Sequence, residues 1–310
     1  MNIALIGGGS WVSNLLKTFQ KDPTFHLSAI ISTSDSGWST GVLRQTYDIP
    51  ALGDIRKNLS ALAGDTALWT EHRFQHGFLD EHPVGNIWLL GLVEKYGFRE
   101  GLTRAHEMLG VHENRIIPAT EEVHDILVTL KDGERILGED HIIAQTHLSN
   151  QIETIELTPR VHAFEPAMQA LLQADVILIW PGTFYTSLIP CLLPVGMLEA
   201  LQKSRAKKIL IANAANFPLG HCDGYDVDRY LSEFQRLVWE VTLDHILVHN
   251  TQGVESQQSV APGRDDARKI IDTFLVATTE IPRQDKLMSI PRNTLKHDAE
   301  KVLQVLKNLL

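Results

Sequence analysis

Four residues near the start of the chain, Gly7-Gly8-Gly9-Ser10, are the first whose types and order could do chemistry. They follow the apolar run Ile3 to Ile6 and precede Val12, Leu15, Leu16 and Phe19, which recur at helical spacing. Strand, glycine turn and helix in that order let backbone amides approach a phosphate while the helix N-terminus supplies positive partial charge. Gly8, Gly9 and Ser10 are therefore an expected phosphate cradle. The dinucleotide fingerprint is incomplete, because Gly7 and Gly9 match but Val12 stands where the third small residue belongs. No Lys follows in Walker spacing, and a tight turn without a ligand would carry the same residues.

A second polar stretch runs from Ser32 to Gly41. Within it, Asp35-Ser36-Gly37-Trp38-Ser39-Thr40-Gly41 combines a carboxylate, three hydroxyls and two glycines. Such a mixture can hydrogen-bond a phosphate or ribose, or hold Mg²⁺ through Asp35; a solvated capping loop reads the same way. Gly53-Asp54-Ile55-Arg56 is a third candidate, with a salt-bridged turn as its equal alternative. His72 and His76 are four apart with His82 nearby, but no His-Glu-x-x-His and no cysteine partner completes a zinc set. His221-Cys222-Asp223 contains reactive types, yet adjacent residues rarely face each other as a Cys-His pair must, so a ligand-covering loop is the expected role. No Gly-x-Ser-x-Gly elbow is present.

The elements that must position these residues are those of an α/β protein. Leu27 to Ile31 is a second apolar run, reached through an amphipathic segment long enough for a right-handed crossover. Val176 to Trp180, Ile209 to Ala212 and Ile246 to Val248 repeat the design, each ending in a polar or glycine-containing loop. Parallel strands whose loops converge on one edge are expected. Residues 66–110 read as a helical insertion. Residues 116–156 read as a small β lobe, with a hairpin turning at Lys131-Asp132-Gly133-Glu134. The final stretch from Asp298 has helical spacing. The expectation is a single domain over 1–310: a three-layer Rossmann-like α/β fold with a mostly parallel sheet.

Composition narrows the function class. Hydrophobic residues make up 44% and charged residues 21%, a globular balance. The formal net charge is -10, and no Lys or Arg run exceeds Lys207-Lys208, which argues against a nucleic-acid surface. No apolar stretch approaches the roughly 18 to 20 residues that cross a bilayer. With only Cys191 and Cys222, and no secretory pattern at the N-terminus, a reducing cytoplasmic setting is expected.

In order along the chain, these pieces resemble the YvcK/CofD family. Gly7-Gly8-Gly9-Ser10 is similar to the family's opening Gly-Gly-Gly-Thr, and Ser34 to Arg44 resembles its Asp-Asp-Gly-Gly-Ser-Ser-Gly-x-Leu-Arg loop. Gly53-Asp54-Ile55-Arg56 matches Gly-Asp-Ile-Arg, and His82-Pro83-Val84-Gly85-Asn86 is similar to His-Ser-x-Gly-Asn. Pro181-Gly182-Thr183-Phe184-Tyr185-Thr186-Ser187, then Asn213, then Lys296-His297-Asp298 continue the likeness.

That resemblance implies one of two functions. YvcK proteins are UDP-sugar-binding regulators of carbon metabolism and cell-wall growth, which would need no cofactor. CofD proteins are Mg²⁺-dependent transferases joining a phospholactyl group from a guanosine diphosphate-linked donor to a deazaflavin. The resemblance adds Asn86, Gly182, Thr183, Asn213 and His297 to the nucleotide-binding set of Gly8, Gly9, Ser10, Asp35, Ser39, Asp54 and Arg56, with Asp35 as the metal candidate. The partner implied is a nucleotide sugar or other nucleoside diphosphate, and a homodimer is compatible with it.

Departures favour binding over transfer. Ser36 replaces the second acidic residue of the family's loop, which weakens a metal site. Trp11, Trp38 and Trp180 replace glycines, and their indoles are expected to narrow the ligand cleft or stack in it. The altered loop from Asn213 to His221 points to changed base or sugar selectivity. A nicotinamide-dependent oxidoreductase ranks behind both, because Ser32-Thr33-Ser34 stand where its acidic residue belongs.

Overall fold

The computed structural model describes residues 1–112, 114–145, 148, 151–212, 227–238, 241–249, 269–273, 276–280, 293–297 and 299–309. β1 (Asn2–Gly7) leads through α1 (Gly9–Phe19) to β2 (His26–Ile31), and α2 (Trp38–Tyr47) and α3 (Gly53–Ala63) follow. Then come α4 (Val84–Tyr96), α5 (Phe98–Met108) and β3 (Arg115–Pro118). The lobe is β4 (Asp125–Leu130), β5 (Arg135–Leu137), α6 (Glu139–Ala144) and β6 (Ile152–Thr158). The second half runs α7 (Glu165–Gln173), β7 (Val176–Ile179), α8 (Ile189–Leu192), α9 (Met197–Lys203), β8 (Lys207–Ile211), α10 (Val227–Leu237) and β9 (His245–His249). It closes with β10 (Lys269–Thr273), β11 (Val276–Glu280), β12 (Asn293–His297) and α11 (Ala299–Leu309).

The main sheet has seven strands in the order β10-β9-β8-β7-β1-β2-β3, and every described pairing in it is parallel. Its central strands are apolar on both faces, as burial between two helical layers requires. Along β1, Ala4 and Ile6 join one core while Ile3 and Leu5 join the other. In β7, Ile177 and Ile179 face the first core, and Val176 and Leu178 the second. The first core takes in α7, α8, α9, α10 and the β lobe; the second takes in α1, α3, α4, α5 and α11. The fold is thus three-layered α/β.

Two sequence expectations shift in detail. Within 66–110, only the stretches of α4 and α5 are α-helical; 3₁₀ segments occupy Gly64–Glu71 and Gly77–Leu79. Gly64 and Gly77 take φ of 65° and 80°, which breaks the helical path, and Pro83 then sets the start of α4. Within 116–156, the Ile116-Ile117 run belongs to the main sheet, because β3 pairs parallel with β2 at its edge. The lobe proper is the antiparallel sheet β5-β4-β6, whose hairpin turns at 131–134.

Arg44 of α2 fastens that lobe to the main domain. Its side chain is buried, and its guanidinium donates to the Ser34 and Asp35 carbonyls, both at 3.3 Å, to the His124 carbonyl, and to Asp125 Oδ1 at 2.9 Å. Truncation would strip several buried acceptors of their donor at once. Arg44→Ala should lose about 3 kcal/mol in urea unfolding and speed amide exchange across 125–158. Wild-type exchange there would show that the lobe is held by other contacts.

Candidate functional site

Strand order reverses at β1. The connection to β2 leaves to one side, while β7 and all strands beyond it lie on the other. The carboxyl ends of β1 and β7 therefore border a crevice of the kind in which open α/β sheets bind ligands. Gly8 is extended, with φ -139° and ψ 172°, and Gly9, the first residue of α1, is left-handed at φ 71°. A Cβ on Gly8 would lie 3.1 Å from Ser187 Cβ and 3.5 Å from Asp54 Oδ2. One on Gly182 would lie 3.5 Å from Ser187 Cβ and 3.7 Å from the Gly8 carbonyl. Among the described residues, a Cβ at Gly9 would meet nothing within 4 Å. The glycine turn is closed toward the β7 loop and open at Gly9. Across from it, Thr183 Oγ1 shares a hydrogen bond with Ser187 Oγ and accepts one from Thr186 Oγ1 at 2.8 Å.

Asp54, in the first turn of α3, reaches back to this turn. Its Oδ2 accepts the Gly9 N–H at 2.7 Å and its Oδ1 accepts Lys57 Nζ at 3.0 Å. The nearby Asp54 charge raises the Lys57 ammonium above its ordinary value, with Asp35 adding to it against the cost of burial. Asn58 Nδ2 donates to the Asp54 carbonyl at 2.8 Å, and Asn58 Oδ1 accepts the Ser13 hydroxyl at 3.0 Å, so α1 and α3 are braced together.

Asp35 stands beside them after β2. Its Oδ1 accepts the Gly37 N–H at 2.9 Å, and a Cβ on Gly53 would come within 3.0 Å of its Oδ2 and 2.4 Å of Thr40 Oγ1. Only glycine lets α3 start this close. Glu139, from α6 of the lobe, approaches the same carboxylate, and its Oε2 accepts the Ser36 N–H at 3.2 Å. Burial pushes the Glu139 carboxyl well above its ordinary range, and the charges of Asp35 and Asp54 and a hydrogen bond with Asp35 push it further. The Glu139 and Asp35 carboxyls thus lie close enough for each other's charge to be felt. Among the described residues no three His, Cys, Asp or Glu side chains are grouped as metal ligands.

Ser39 and Asn86 meet on a neighbouring wall. Asn86 Nδ2 donates to Ser39 Oγ at 3.0 Å, which leaves the serine proton for His82 Nδ1 at 2.7 Å. Burial, with the Arg73 charge, lowers the His82 imidazole from its usual value, consistent with an accepting ring nitrogen. Arg56 is elsewhere: it is buried, donates to the Thr70 carbonyl at 3.3 Å and to Glu71 at 2.8 Å, and packs where a Gly85 Cβ would strike its stem. It braces α3 and α4.

The structure thus brings Gly8, Gly9, Asp54, Asp35, Gly182 and Thr183 to one crevice and sets Ser39 and Asn86 beside it. Ser10 is the second residue of α1. Asn213 and the trio His221-Cys222-Asp223 lie outside the described residues. His297 ends β12, which pairs with β11 in a separate two-stranded sheet. His72 and His76 lie outside any helix and share no helical face. The expected role of the indoles is corrected for Trp180. Trp180 is buried in the core, and Trp38 is 60% exposed with φ 42°, a left-handed conformation that a glycine would hold without strain. Glu139 and Lys57 were missed; Ser36-to-lobe contact has no sequence signal, whereas Lys57 at i,i+3 from Asp54 could have been found.

A family model described as 2-phospho-L-lactate transferase CofD matches residues 3–307. The chain belongs to this CofD family. A protein of Halalkalibacterium halodurans named gluconeogenesis factor is 30% identical over 312 residues, covering 98% of this chain and 95% of that one. The gluconeogenesis factor of Bacillus subtilis is 29% identical over 318 residues, covering 99% and 98%. The crystal structure of protein BH3568 from Bacillus halodurans superposes with a TM-score of 0.83 at 28% identity, covering 99% of each chain. A second structure of that protein, described as a member of the UPF0052 family, gives 0.82 over 98% of each.

Two expectations follow from the geometry. Trp38→Gly should raise stability by about 1 kcal/mol by relieving the left-handed backbone, read as a higher urea midpoint; an unchanged or lower midpoint would mean the indole makes up the cost. Because the folded state raises the Glu139 carboxyl above its ordinary 4.5, the folded chain holds more protons there, and stability falls as pH rises from about 4.5 through the raised value. Glu139→Gln should flatten that fall and raise the melting temperature at neutral pH. A variant whose pH profile parallels wild type would remove Glu139 from the pair.

Proposed function

We propose that this protein binds a nucleotide sugar, of the UDP-sugar class, in the crevice between β1 and β7, and acts as a regulatory protein of carbon metabolism and cell-wall growth. The observation that carries the reading is the glycine turn open at Gly9, at the N-terminus of α1, facing Gly182 and Thr183 across the strand-order reversal. First-turn amides of α1 would meet the diphosphate, and a Cβ at Gly9 would project into its space. Thr183 and Ser187 supply hydroxyls to the opposite side, and Ser39, polarised by His82 and Asn86, supplies another for sugar or ribose. Full-length similarity to chains named gluconeogenesis factor supports the regulatory role.

The second reading is a CofD-like phospholactyl-type transferase, supported by the matching family model. Mg²⁺ would then be held by Asp35, with Glu139 giving up its proton to serve as a second carboxylate, and would neutralise charge on the transferring phosphoryl group. The residues present can fit that ion, because one or two carboxylates with phosphate oxygens suffice for Mg²⁺. The chain's own contribution would be to hold the donor diphosphate against α1 and to release the Glu139 proton.

Thermal shifts separate the readings. UDP-glucose or UDP-N-acetylglucosamine at about 100 times Kd should raise the melting temperature by about 4 °C without Mg²⁺, and Gly9→Ala should erase that rise while costing only about 1 kcal/mol in folding. Stabilisation seen only with GDP and Mg²⁺, together with nucleoside monophosphate release in the presence of a deazaflavin, would replace the regulator with the transferase.

A further inference from the structure

An anion drawn to the glycine turn meets two acids there. Asp54 Oδ2 already accepts the Gly9 N–H at 2.7 Å, so part of the positive end of α1 is committed to a carboxylate of the chain itself. Asp35 stands beside it, its Oδ2 within 3.0 Å of where a Gly53 Cβ would be. A helix N-terminus carries roughly half an elementary charge, too little to offset two carboxylates. A diphosphate at this turn therefore needs a full cation close by.

Two cations of this part of the chain are committed elsewhere. Arg44 is buried and donates to the His124 carbonyl and Asp125, while Arg56 is buried and donates to the Thr70 carbonyl and Glu71. Lys57 is placed differently. It follows Asp54 by one turn of α3, and its Nζ donates to Asp54 Oδ1 at 3.0 Å, so a single carboxylate links the ammonium to the Gly9 amide. An ammonium carries three donors, and among the described residues Asp54 takes the one hydrogen bond it makes. The Lys57 side chain is 37% exposed against 11% for Asp54, which makes it the member of the pair that a ligand can reach. The Asp54 charge raises the ammonium above its ordinary value, against the cost of burial and with Asp35 adding to it, so Lys57 stays cationic at neutral pH.

We propose that Lys57 is a direct ligand of the diphosphate in this crevice and supplies from the chain itself the positive charge that a divalent cation would otherwise bring. This deepens, and rests on, the reading of the crevice as a diphosphate site. One donor of the ammonium keeps Asp54, and through it the Gly9 turn, in place; the other two are left for phosphate oxygens. A lysine suits that task, because it binds phosphate as a compact point charge without a fixed fork geometry.

Calorimetric titration of inorganic pyrophosphate into the whole protein, with EDTA present and ionic strength held constant, tests this. Saturable binding without a divalent ion is expected, and Lys57→Gln should weaken it at least roughly tenfold, as loss of a hydrogen bond to a charged group would. The double variant Asp54→Asn with Lys57→Gln, compared with Asp54→Asn alone, should show the same loss, and it serves in place of the single variant if Lys57→Gln alone loses its native circular dichroism. Pyrophosphate bound only when Mg²⁺ is added, or bound equally by wild type and Lys57→Gln, would overturn the assignment. So would a double variant that binds as Asp54→Asn does, because Lys57 would then merely offset the Asp54 charge. UDP-glucose titrated into the same chains separates this failure from that of the nucleotide-sugar reading. Lys57-dependent binding of pyrophosphate with none of UDP-glucose would sink the nucleotide sugar and keep Lys57; UDP-glucose bound equally with and without the ammonium would keep the crevice and sink Lys57.

Discussion

The crevice is organised by one buried carboxylate. Asp54 accepts the Gly9 amide with one oxygen and the Lys57 ammonium with the other, and a hydrogen bond to a charged group contributes about 1.5 to 3 kcal/mol, more than a neutral one. Its charge reaches further than its bonds. It raises Lys57; burial raises the Glu139 carboxyl and the Cys191 thiol, with Asp54 adding to both effects. An anion already sits at the N-terminus of α1, where a ligand phosphate would also be drawn. Lys57 therefore matters to any diphosphate reading, since it offsets Asp54 and keeps the site from repelling the ligand.

Much of this was legible in the amino-acid sequence because it rests on local patterns. Apolar runs bounded by glycine gave β1 and its turn, and the repeated strand designs at 176–180, 209–212 and 246–248 gave parallel neighbours whose carboxyl ends share an edge. The order of those strands was not legible. Nothing in the run Ile116-Ile117 distinguishes an edge strand of the main sheet from a strand of a lobe; the choice is made by Ile30 and its neighbours on β2. Helical spacing likewise overran into 66–82, where Gly64 and Gly77 turn the backbone left-handed.

Glu139 marks the limit of motif reading most clearly. The family's loop carries two adjacent acids, and here Ser36 leaves Asp35 alone in sequence. In space it is not alone, because the lobe delivers Glu139 from about a hundred residues away, and Ser36 binds that helix through its amide to Glu139 and its hydroxyl to Asp140. The substitution that suggested a lost carboxylate is the contact that brings another one in. What differs is the surroundings: burial, with the Asp35 and Asp54 charges, pushes the Glu139 carboxyl well above its ordinary range.

The indoles show how the same change, glycine to tryptophan, has different consequences in different layers. Trp180 leaves the mouth of the crevice alone and fills the core beneath it. A Cβ on Gly7 would lie 3.2 Å from Val12 Cγ2 and 3.4 Å from Trp180 Cβ, so Gly7 is required by packing below the turn rather than by a ligand above it. This accounts for the incomplete fingerprint. In the dinucleotide motif a third small residue lets the helix close on the strand; here Val12 stays large and the strand supplies the missing space at Gly7. Gly8 and Gly9 are then the glycines on the crevice side, the first pressed against Ser187 and the second, among the described residues, with open space beside it. A turn built this way is held from below by apolar packing and from the side by Asp54, and among the described residues its Gly9 face is the open one.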